Sequence, residues 1–403
     1  MTGRVFVVSE LYYPEETSTG YLLTKTAEGI ARTMPVSVIC SQPTYSARGQ
    51  TAPSREIRNG VAIERCGGTT FDKDGLLGRI LNAITISFLV TWRAFRRFRR
   101  GDAILVVTNP PFLPFGIALA SRFSRARCAL LIHDVYPEVL TAAGMGSPHS
   151  PLSRILAVAT RWLYARVDRI VVLGRDMGEL AARKLSRDAD KVVLIPNWAA
   201  GEVHPSPKAG NELLHRLGLG DAFVIQYAGN MGRTHGLETL VGAARRLAAR
   251  PVHWLFIGSG AKKAWLVEQA VATPNLTVLD SLPRSDRNLF LNACDVAIIS
   301  FVPGMAGVSV PSRMYDIMAA GKPIIAVADP ESELARVVTE EQIGWVVAPD
   351  DVGGLCAVVD SIYAQPHLVA EYGARARTAA LEKYQLAHAI AKYSSLLQEL
   401  LAS

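Results

Sequence analysis

The sequence predicts an α/β protein made of two halves, each with a mainly parallel sheet covered by helices on both faces. Three observations carry this. Apolar β-runs alternate with helical patterns from end to end. Several of the runs are continuous rather than alternating in polarity, as in strands buried on both faces. The 403 residues, 49% hydrophobic and 20% charged, suffice for two ordinary cores and exclude a disordered chain.

In the first half the strands are read over 4–9, 36–40, 61–65, 103–107, 129–132, 169–173 and 192–195. Helices fill 21–33, 76–100, 112–123, 152–166 and 176–185. The second half repeats the style with strands over 223–228, 252–257, 276–279, 296–300, 323–327 and 344–347, and a helix over 237–249. A short helix is expected between Pro311 and a Gly321 stop. The stretch 196–210 carries Pro196, Gly201, Pro205, Pro207 and Gly210 without periodicity and reads as the linker. The expected domains are 1–198 and 199–375, with 376–403 returning as a helix to the first. Two such halves imply a cleft, and ligands of open parallel sheets sit at the carboxyl ends of the strands.

A formal net charge of +7 points to an anionic partner: nucleotide phosphates, a membrane surface or nucleic acid. The five cysteines, Cys40, Cys66, Cys128, Cys294 and Cys356, are scattered and never form C-x-x-C, which argues for a reducing cytoplasm over a disulfide framework or zinc site. The run 4–9 looks like the first strand of a domain, so no signal peptide is expected. The uncharged stretch 103–120 is split by Thr108-Asn109-Pro110-Pro111, and 80–92 is shorter than the ~20 residues a spanning helix needs, so no transmembrane helix is expected. Asp72-Lys73-Asp74 and Asp188-Ala189-Asp190 spell D-x-D but lie in polar connections; metal binding and cofactors are expected to be none. There is no P-loop, H-E-x-x-H or G-x-S-x-G.

Four loops at strand ends carry unusual chemistry. Residues 12–20 end in Gly20 at a helix start, where backbone can approach a ligand; the alternative is a plain surface loop. His133-Asp134 follows the apolar run 129–132, where His133 can orient or polarise a sugar hydroxyl; a structural His133 with Asp134 capping the next turn is the alternative. In Gly229-Asn230-Met231-Gly232-Arg233-Thr234-His235-Gly236, three glycines bracket a cation. Such a loop can cradle a diphosphate while Arg233 neutralises the charge that grows as phosphate leaves, or it is a Gly-rich turn. The fourth loop runs from Gly304 through Gly307 to Pro311-Ser312-Arg313, feeding a helix whose first N–H groups suit an anion, with Asp316 one turn inside to accept from ribose hydroxyls. Phosphate plus ribose means nucleotide. The helix 76–100 ends in an arginine–phenylalanine run; it lies either on an anionic bilayer, inserting Phe95 and Phe98, or in the core. No second basic stripe or known module supports nucleic-acid binding.

Tyr12-Tyr13-Pro14, Thr108-Asn109-Pro110-Pro111, Asp134-Val135-Tyr136-Pro137-Glu138, Ile195-Pro196-Asn197-Trp198, Gly229-Asn230-Met231-Gly232, Phe256-Ile257-Gly258-Ser259-Gly260 and Val310-Pro311-Ser312 stand in order along the chain. Together they resemble family 4 glycosyltransferases, and more narrowly the subgroup that assembles colanic acid and O-antigen repeat units, including fucosamine transferases. The resemblance covers about the whole chain. It implies the GT-B fold, two Rossmann-like domains facing across a cleft, with nucleotide-sugar on the second and acceptor on the first. It places Gly307, Ser309, Ser312 and Arg313 near diphosphate and sugar, Asp316 on the ribose, Leu282 and Arg284 beside the base, and His133 or Asp134 at the reacting sugar. It also implies retention without a metal ion. Two departures stand out. The family's Glu-x7-Glu reads Val308 and Asp316 here, so the first acid is missing and Ser309 or backbone amides are left to serve. Asn230 and His235 occupy the usual Arg/Lys phosphate positions, leaving Arg233 and Arg313 as cations.

The expectation is a retaining, metal-independent transferase at the cytoplasmic face of the plasma membrane. It moves sugar from a nucleotide-sugar, expected to be a UDP-sugar, to a polyprenyl-diphosphate-linked acceptor in surface polysaccharide synthesis. A soluble transferase for small molecules, a sugar-nucleotide epimerase of the same architecture and a non-enzymatic sugar-nucleotide binder are the rivals.

Overall fold

The computed structural model describes residues 3–44, 47, 49–71, 76–185 and 188–403; Asp72-Lys73-Asp74 lies outside them. The first part of the chain runs β1 (Val5–Val8), α1 (Ser18–Ile30), β2 (Val36–Ser41), β3 (Arg55–Arg58), β4 (Val61–Cys66), α2 (Leu76–Arg97), β5 (Ala103–Val107), α3 (Leu113–Ser124), β6 (Arg127–Leu131), α4 (Glu138–Ala142), α5 (Pro151–Arg166), β7 (Arg169–Val172), α6 (Arg175–Leu185) and β8 (Val192–Leu194). Then come α7 (Glu212–Arg216), β9 (Phe223–Ala228), α8 (Leu237–Arg246), β10 (Val252–Ile257), α9 (Lys263–Val271), β11 (Leu276–Leu279), α10 (Arg287–Leu291), β12 (Val296–Ser300), α11 (Arg313–Ala319), β13 (Ile324–Val327), α12 (Glu333–Glu340), β14 (Gly344–Val347), α13 (Val352–Ala364), α14 (His367–Lys383) and α15 (Leu386–Ala402). The chain divides into two units: Met1–Val135 with Arg154–Pro196 and Ala387–Ser403, and Tyr136–Ser153 with Asn197–Leu386.

The first unit holds an 8-stranded sheet in the order β3-β4-β2-β1-β5-β6-β7-β8. Its central strands are buried on both faces: Val5, Val7 and Val8, and all of β5, are at most 1% exposed. That is what continuous apolar runs demand. Every pairing is parallel except β3–β4, a hairpin turned by Asn59-Gly60, both with positive φ. β3 was not expected from the sequence, because Arg-Glu-Ile-Arg at a sheet edge is mostly charged; the Asn-Gly dipeptide was the available signal.

The second unit holds a 6-stranded, wholly parallel sheet in the order β11-β10-β9-β12-β13-β14. Tyr227, Trp254 and Phe256 fill its core, each at most 1% exposed, against Leu237, Leu240 and Leu355 of the covering helices. Two chain assignments differ from the expected boundaries. Residues 136–153 group with the second unit. The return to the first unit starts at Ala387, not 376, because α14 stays on α11. There a Cβ on Gly373 would meet the Gly321 carbonyl oxygen at 2.3 Å, and Arg377 Nη1 donates to the Ala319 oxygen at 2.7 Å. Further on, α15 lays Ile390 against Gly29 and Leu401 against Gly3 in the first unit.

Helix α2 is apolar on two faces. Ile86, Val90 and Ala94 face inward at 0% exposure, while Leu77 (70%), Phe88 (67%) and Trp92 (54%) point out. Gly116 lets α3 close on α2, since a Cβ there would meet Thr91 Oγ1 at 2.2 Å. The helix ends at Arg97, and Phe98 turns inward onto Phe6, ring centroids 5.1 Å apart, at 2% exposure. Phe98 is thus a core anchor and not the inserting residue expected. Only Phe95 of that pair is exposed, 5.8 Å from the ring of exposed Phe123 on α3. Among the described residues no helix is long and apolar enough to cross a membrane.

Truncating a fully buried aromatic removes its transfer energy and leaves a cavity. Phe98→Ala should therefore cost about 3–5 kcal/mol in urea unfolding, whereas Phe95→Ala should cost under about 1 kcal/mol. Equal small losses would show that Phe98 does not anchor this end of α2.

Candidate functional site

In the second sheet the chain winds outward from β9 to β10 and β11, then reverses to β12, β13 and β14. That reversal splays the loops after β9 and β12 apart and makes the ligand crevice of open α/β sheets. The loop after β9 is Gly229–Gly236. It is clamped by backbone: Gly229 N–H donates to the Ile257 oxygen at 2.9 Å, Met231 N–H to the Ser259 oxygen at 2.8 Å and Lys262 N–H to the Met231 oxygen at 2.9 Å. The clamp needs glycines. A Cβ on Gly258 would meet the Gly229 oxygen at 1.9 Å, and one on Gly260 would meet Met231 backbone at 2.6 Å. Gly232 lies against Asn230 Nδ2, with His235 Nδ1 next, at 2.8 and 3.4 Å from its would-be Cβ.

Arg313 reaches this loop from the start of α11. Its Nη1 donates to the Ala228 oxygen at 3.4 Å, and its guanidinium carbon stands 4.4 Å from the Tyr227 ring centroid. The structure therefore brings Gly229, Asn230, Gly232, His235 and Arg313 together. Arg233 sits on the same loop but is exposed, and no described side chain pairs with it. His235 stacks edge-on to Tyr227 at 6.2 Å; burial first, then the charges of Arg313 and Lys262, holds its pKa well below the ordinary value. It is neutral. Lys262, which sequence reasoning missed, donates through Nζ to the His235 oxygen and Glu238 Oε2, both at 2.8 Å.

The loop after β12 is held by another missed residue, Asp329, which accepts from Gly304 N–H at 3.3 Å and Ala306 N–H at 3.0 Å. Gly304 and Gly307 both have positive φ, +81° and +74°. Val308, at the position of the missing acid, is 1% exposed and belongs to the core; Ser309 beside it is half-buried. Ser312 precedes α11 with no capping hydrogen bond from its side chain to the helix. Only seven residues long, α11 has its Met314 N–H already given to the Pro311 oxygen at 3.1 Å, so the expected row of open helix-end donors is reduced.

Asp316, expected on the ribose, is engaged by groups of the protein. Its Oδ1 accepts from Ala200 N–H at 2.9 Å, and its Oδ2 lies 3.3 Å from Arg287 Nη1. Burial raises its pKa, opposed by Arg287 and the Ala200 bond. The carboxylate thus ties the linker to α10 and α11 within the second unit. Leu282 and Arg284 lie past β11, half-buried, with Arg284 opening a 3-10 turn.

In the first unit the sheet reverses between β1 and β5. Gly20 lies past β1, inside the first turn of α1. Its N–H is already engaged by Thr17 Oγ1 at 3.3 Å, and a Cβ would meet the Glu15 oxygen at 2.7 Å, so this glycine serves loop packing rather than an open approach. His133 follows β6; its N–H donates to Thr108 Oγ1 at 3.0 Å, just past β5. Its ring Nε2 is buried without a partner, and burial lowers its pKa to about 4. At neutral pH the ring can polarise a hydroxyl but holds no proton to spare. Asp134, next in the chain, is half-buried and partnered. Among the described residues no group of His, Cys, Asp or Glu could hold a metal ion; Asp188 pairs with Lys191 at 3.0 Å.

Comparison with known proteins agrees with this geometry. Residues 20–198 match the glycosyl transferase 4-like domain, and residues 222–365 match the glycosyl transferases group 1 domain. The glycosyltransferase WbjE of Pseudomonas aeruginosa is 34% identical over 366 residues, 89% of each chain. The colanic acid biosynthesis glycosyl transferase WcaI of Escherichia coli is 24% identical over 371 residues, 88% of this chain and 90% of that one. The solved structure of HepE from Anabaena in complex with UDP-glucose superposes with a TM-score of 0.73 at 15% identity, over 99% of both chains. Two Rossmann-like sheets with these matches define a glycosyltransferase of the GT-B fold. The chain belongs to family 4 of the glycosyltransferases.

The neutral His133 sets a pH dependence. Its folded pKa of about 4 lies below the ordinary 6.5, so the unfolded chain binds more protons between these values. Stability from the neutral ring is present above pH ~6.5 and is lost as pH falls toward ~4. The stability difference between wild type and His133→Asn should shrink by about 3 kcal/mol over that range. A flat difference would mean that the folded ring ionises as freely as in water.

Proposed function

We propose that this glycosyltransferase moves a sugar, with retention and without a metal ion, from a UDP-sugar to a lipid-linked saccharide in surface polysaccharide synthesis. The observation that carries the reading is the glycine-clamped loop after β9, with Arg233 and Arg313 as cations and no carboxylate ion-paired to either among the described residues. Such a loop suits a leaving diphosphate, because fixed donors and cations stabilise charge that grows only as the bond breaks. The UDP-glucose bound by HepE supports the nucleotide, and the names of WcaI and WbjE support the reaction class and its setting. His133 and Asp134 of the first unit are proposed to face the reacting sugar, with Ser309 serving where Val308 replaces an acid.

The membrane reading is supported by the outward face of α2. An apolar stripe, Leu77, Leu81, Ile84, Phe88, Trp92 and Phe95, runs along it at spacings of three and four residues. Water is an unusual neighbour for such a stripe, and a bilayer interface is a natural one. Arg96, Arg99 and Arg100 are exposed at its end, whereas Arg97 is paired to Glu64. The proposed location is the cytoplasmic face of the plasma membrane.

A panel of nucleotide-sugars with polyprenyl-diphosphate-linked acceptors, analysed by mass spectrometry, tests the reaction. One sugar should be added, with unchanged anomeric configuration, and the rate should survive a chelator. Turnover of the donor alone to an epimer, or strict dependence on added Mg²⁺, would overturn the reading.

Flotation with anionic vesicles tests the surface. Phe88→Ser with Trp92→Ser should leave most of the protein unbound. Neutralising Arg96, Arg99 and Arg100 should remove about 3 kcal/mol at low salt. If both variants float like wild type, α2 is not the contact.

A further inference from the structure

Arg313 stands in an electrostatic setting that the fold alone does not explain. Its Nε and Nη2 are buried and have no hydrogen-bond partner. Its Nη1 makes a long bond to the Ala228 oxygen at 3.4 Å, and the side chain also interacts with that of Tyr227. No carboxylate among the described residues pairs with it. A buried cation with open donors and no counter-charge is costly, and proteins keep one where an anion completes it.

The arm is nevertheless fixed. Its guanidinium lies on the Tyr227 ring, and the Tyr227 hydroxyl donates to the Asn230 oxygen of the same loop. Gly229 makes room, since a Cβ there would meet Arg313 Nη1 at 2.4 Å. The other basic groups nearby are accounted for differently. Lys262 is engaged with Glu238 and the His235 oxygen, the His235 ring is neutral, and Arg233 points into solvent.

Building on the reading of this loop as a nucleotide-sugar site, we propose that Arg313, ahead of the solvent-exposed Arg233, is the principal cation that holds the donor's diphosphate. Its planar fork presents Nε and Nη2 together, the geometry that matches two phosphate oxygens. In the transfer, the bond from the anomeric carbon to the β-phosphate oxygen breaks with its electron pair on that oxygen. The acceptor oxygen bonds to the same carbon and its proton passes to the departing diphosphate. Arg313 meets the charge left on the phosphate, standing in for the family's cations at the positions of Asn230 and His235.

Calorimetric titration of the full chain with UDP and UMP tests this. Arg313→Gln should weaken UDP about tenfold to a hundredfold and UMP by less than about threefold, since UMP lacks the β-phosphate. Arg313→Lys, which keeps charge without the fork, should fall between. Arg233→Ala should change UDP affinity less than about threefold. In thermal melts without ligand, Arg313→Gln should be as stable as wild type or more so, because a buried unpaired charge is gone, while its stabilisation by UDP should shrink. The proposal falls if Arg313→Gln binds UDP as wild type does, loses UDP and UMP equally, or melts lower without ligand. If wild type binds none of UDP, GDP and ADP, the reading of the loop as a nucleotide site falls with it.

Discussion

The second unit depends on one close approach of backbones, where the ends of β9 and β10 meet. Gly258 sits so near the Gly229 carbonyl that no side chain could stand there, and Gly260 is also pressed against the Met231 backbone. This contact converts two strand ends into one rigid platform. From it follow the hydrogen bonds that hold Met231 and Lys262, the ledge on which Tyr227 and His235 rest, and the groove that Arg313 enters beside Gly229. Glycine is required on both counts: there is no space for a Cβ, and Gly229, Gly258 and Gly260 take φ values of +145°, +157° and +147° that other residues rarely adopt.

Two charged residues on either side of α11's first turn illustrate how burial sorts roles. Asp316 is compensated: Arg287 and the Ala200 amide meet its two oxygens, which makes it a tie between the linker and the helices. Arg313, three residues earlier, is left with open donors. A buried charge whose needs are met inside the protein is structural by default, whereas one left unmet points to a ligand. By spacing alone, Asp316 had looked the more promising of the two.

Helix α2 faces a different constraint. Apolar residues surround most of its circumference, and the sheet covers only one side. The buried stripe through Ile86, Val90 and Ala94 to Phe98 holds the helix in place. The outer stripe, apart from the Phe95 contact with Phe123, is exposed, which is an unusual setting for so many apolar side chains.

Strand–helix alternation, continuous apolar runs and the proline-rich linker were legible in the sequence because they follow from local periodicity and turn chemistry. The glycine loops were legible too, since glycines clustered at a strand end announce close approach. Tertiary structure alone decided the rest. It gave Phe98 to the core and Phe95 to the surface, although both belong to one arginine–phenylalanine run. It engaged the Gly20 amide with Thr17, and joined Asp316 to Arg287 and Ala200, groups up to 116 residues apart. It assigned 136–153 to the second unit and delayed the return of the chain to Ala387. A sequence states which charges exist; whether each is met depends on groups that only folding brings within hydrogen-bonding distance.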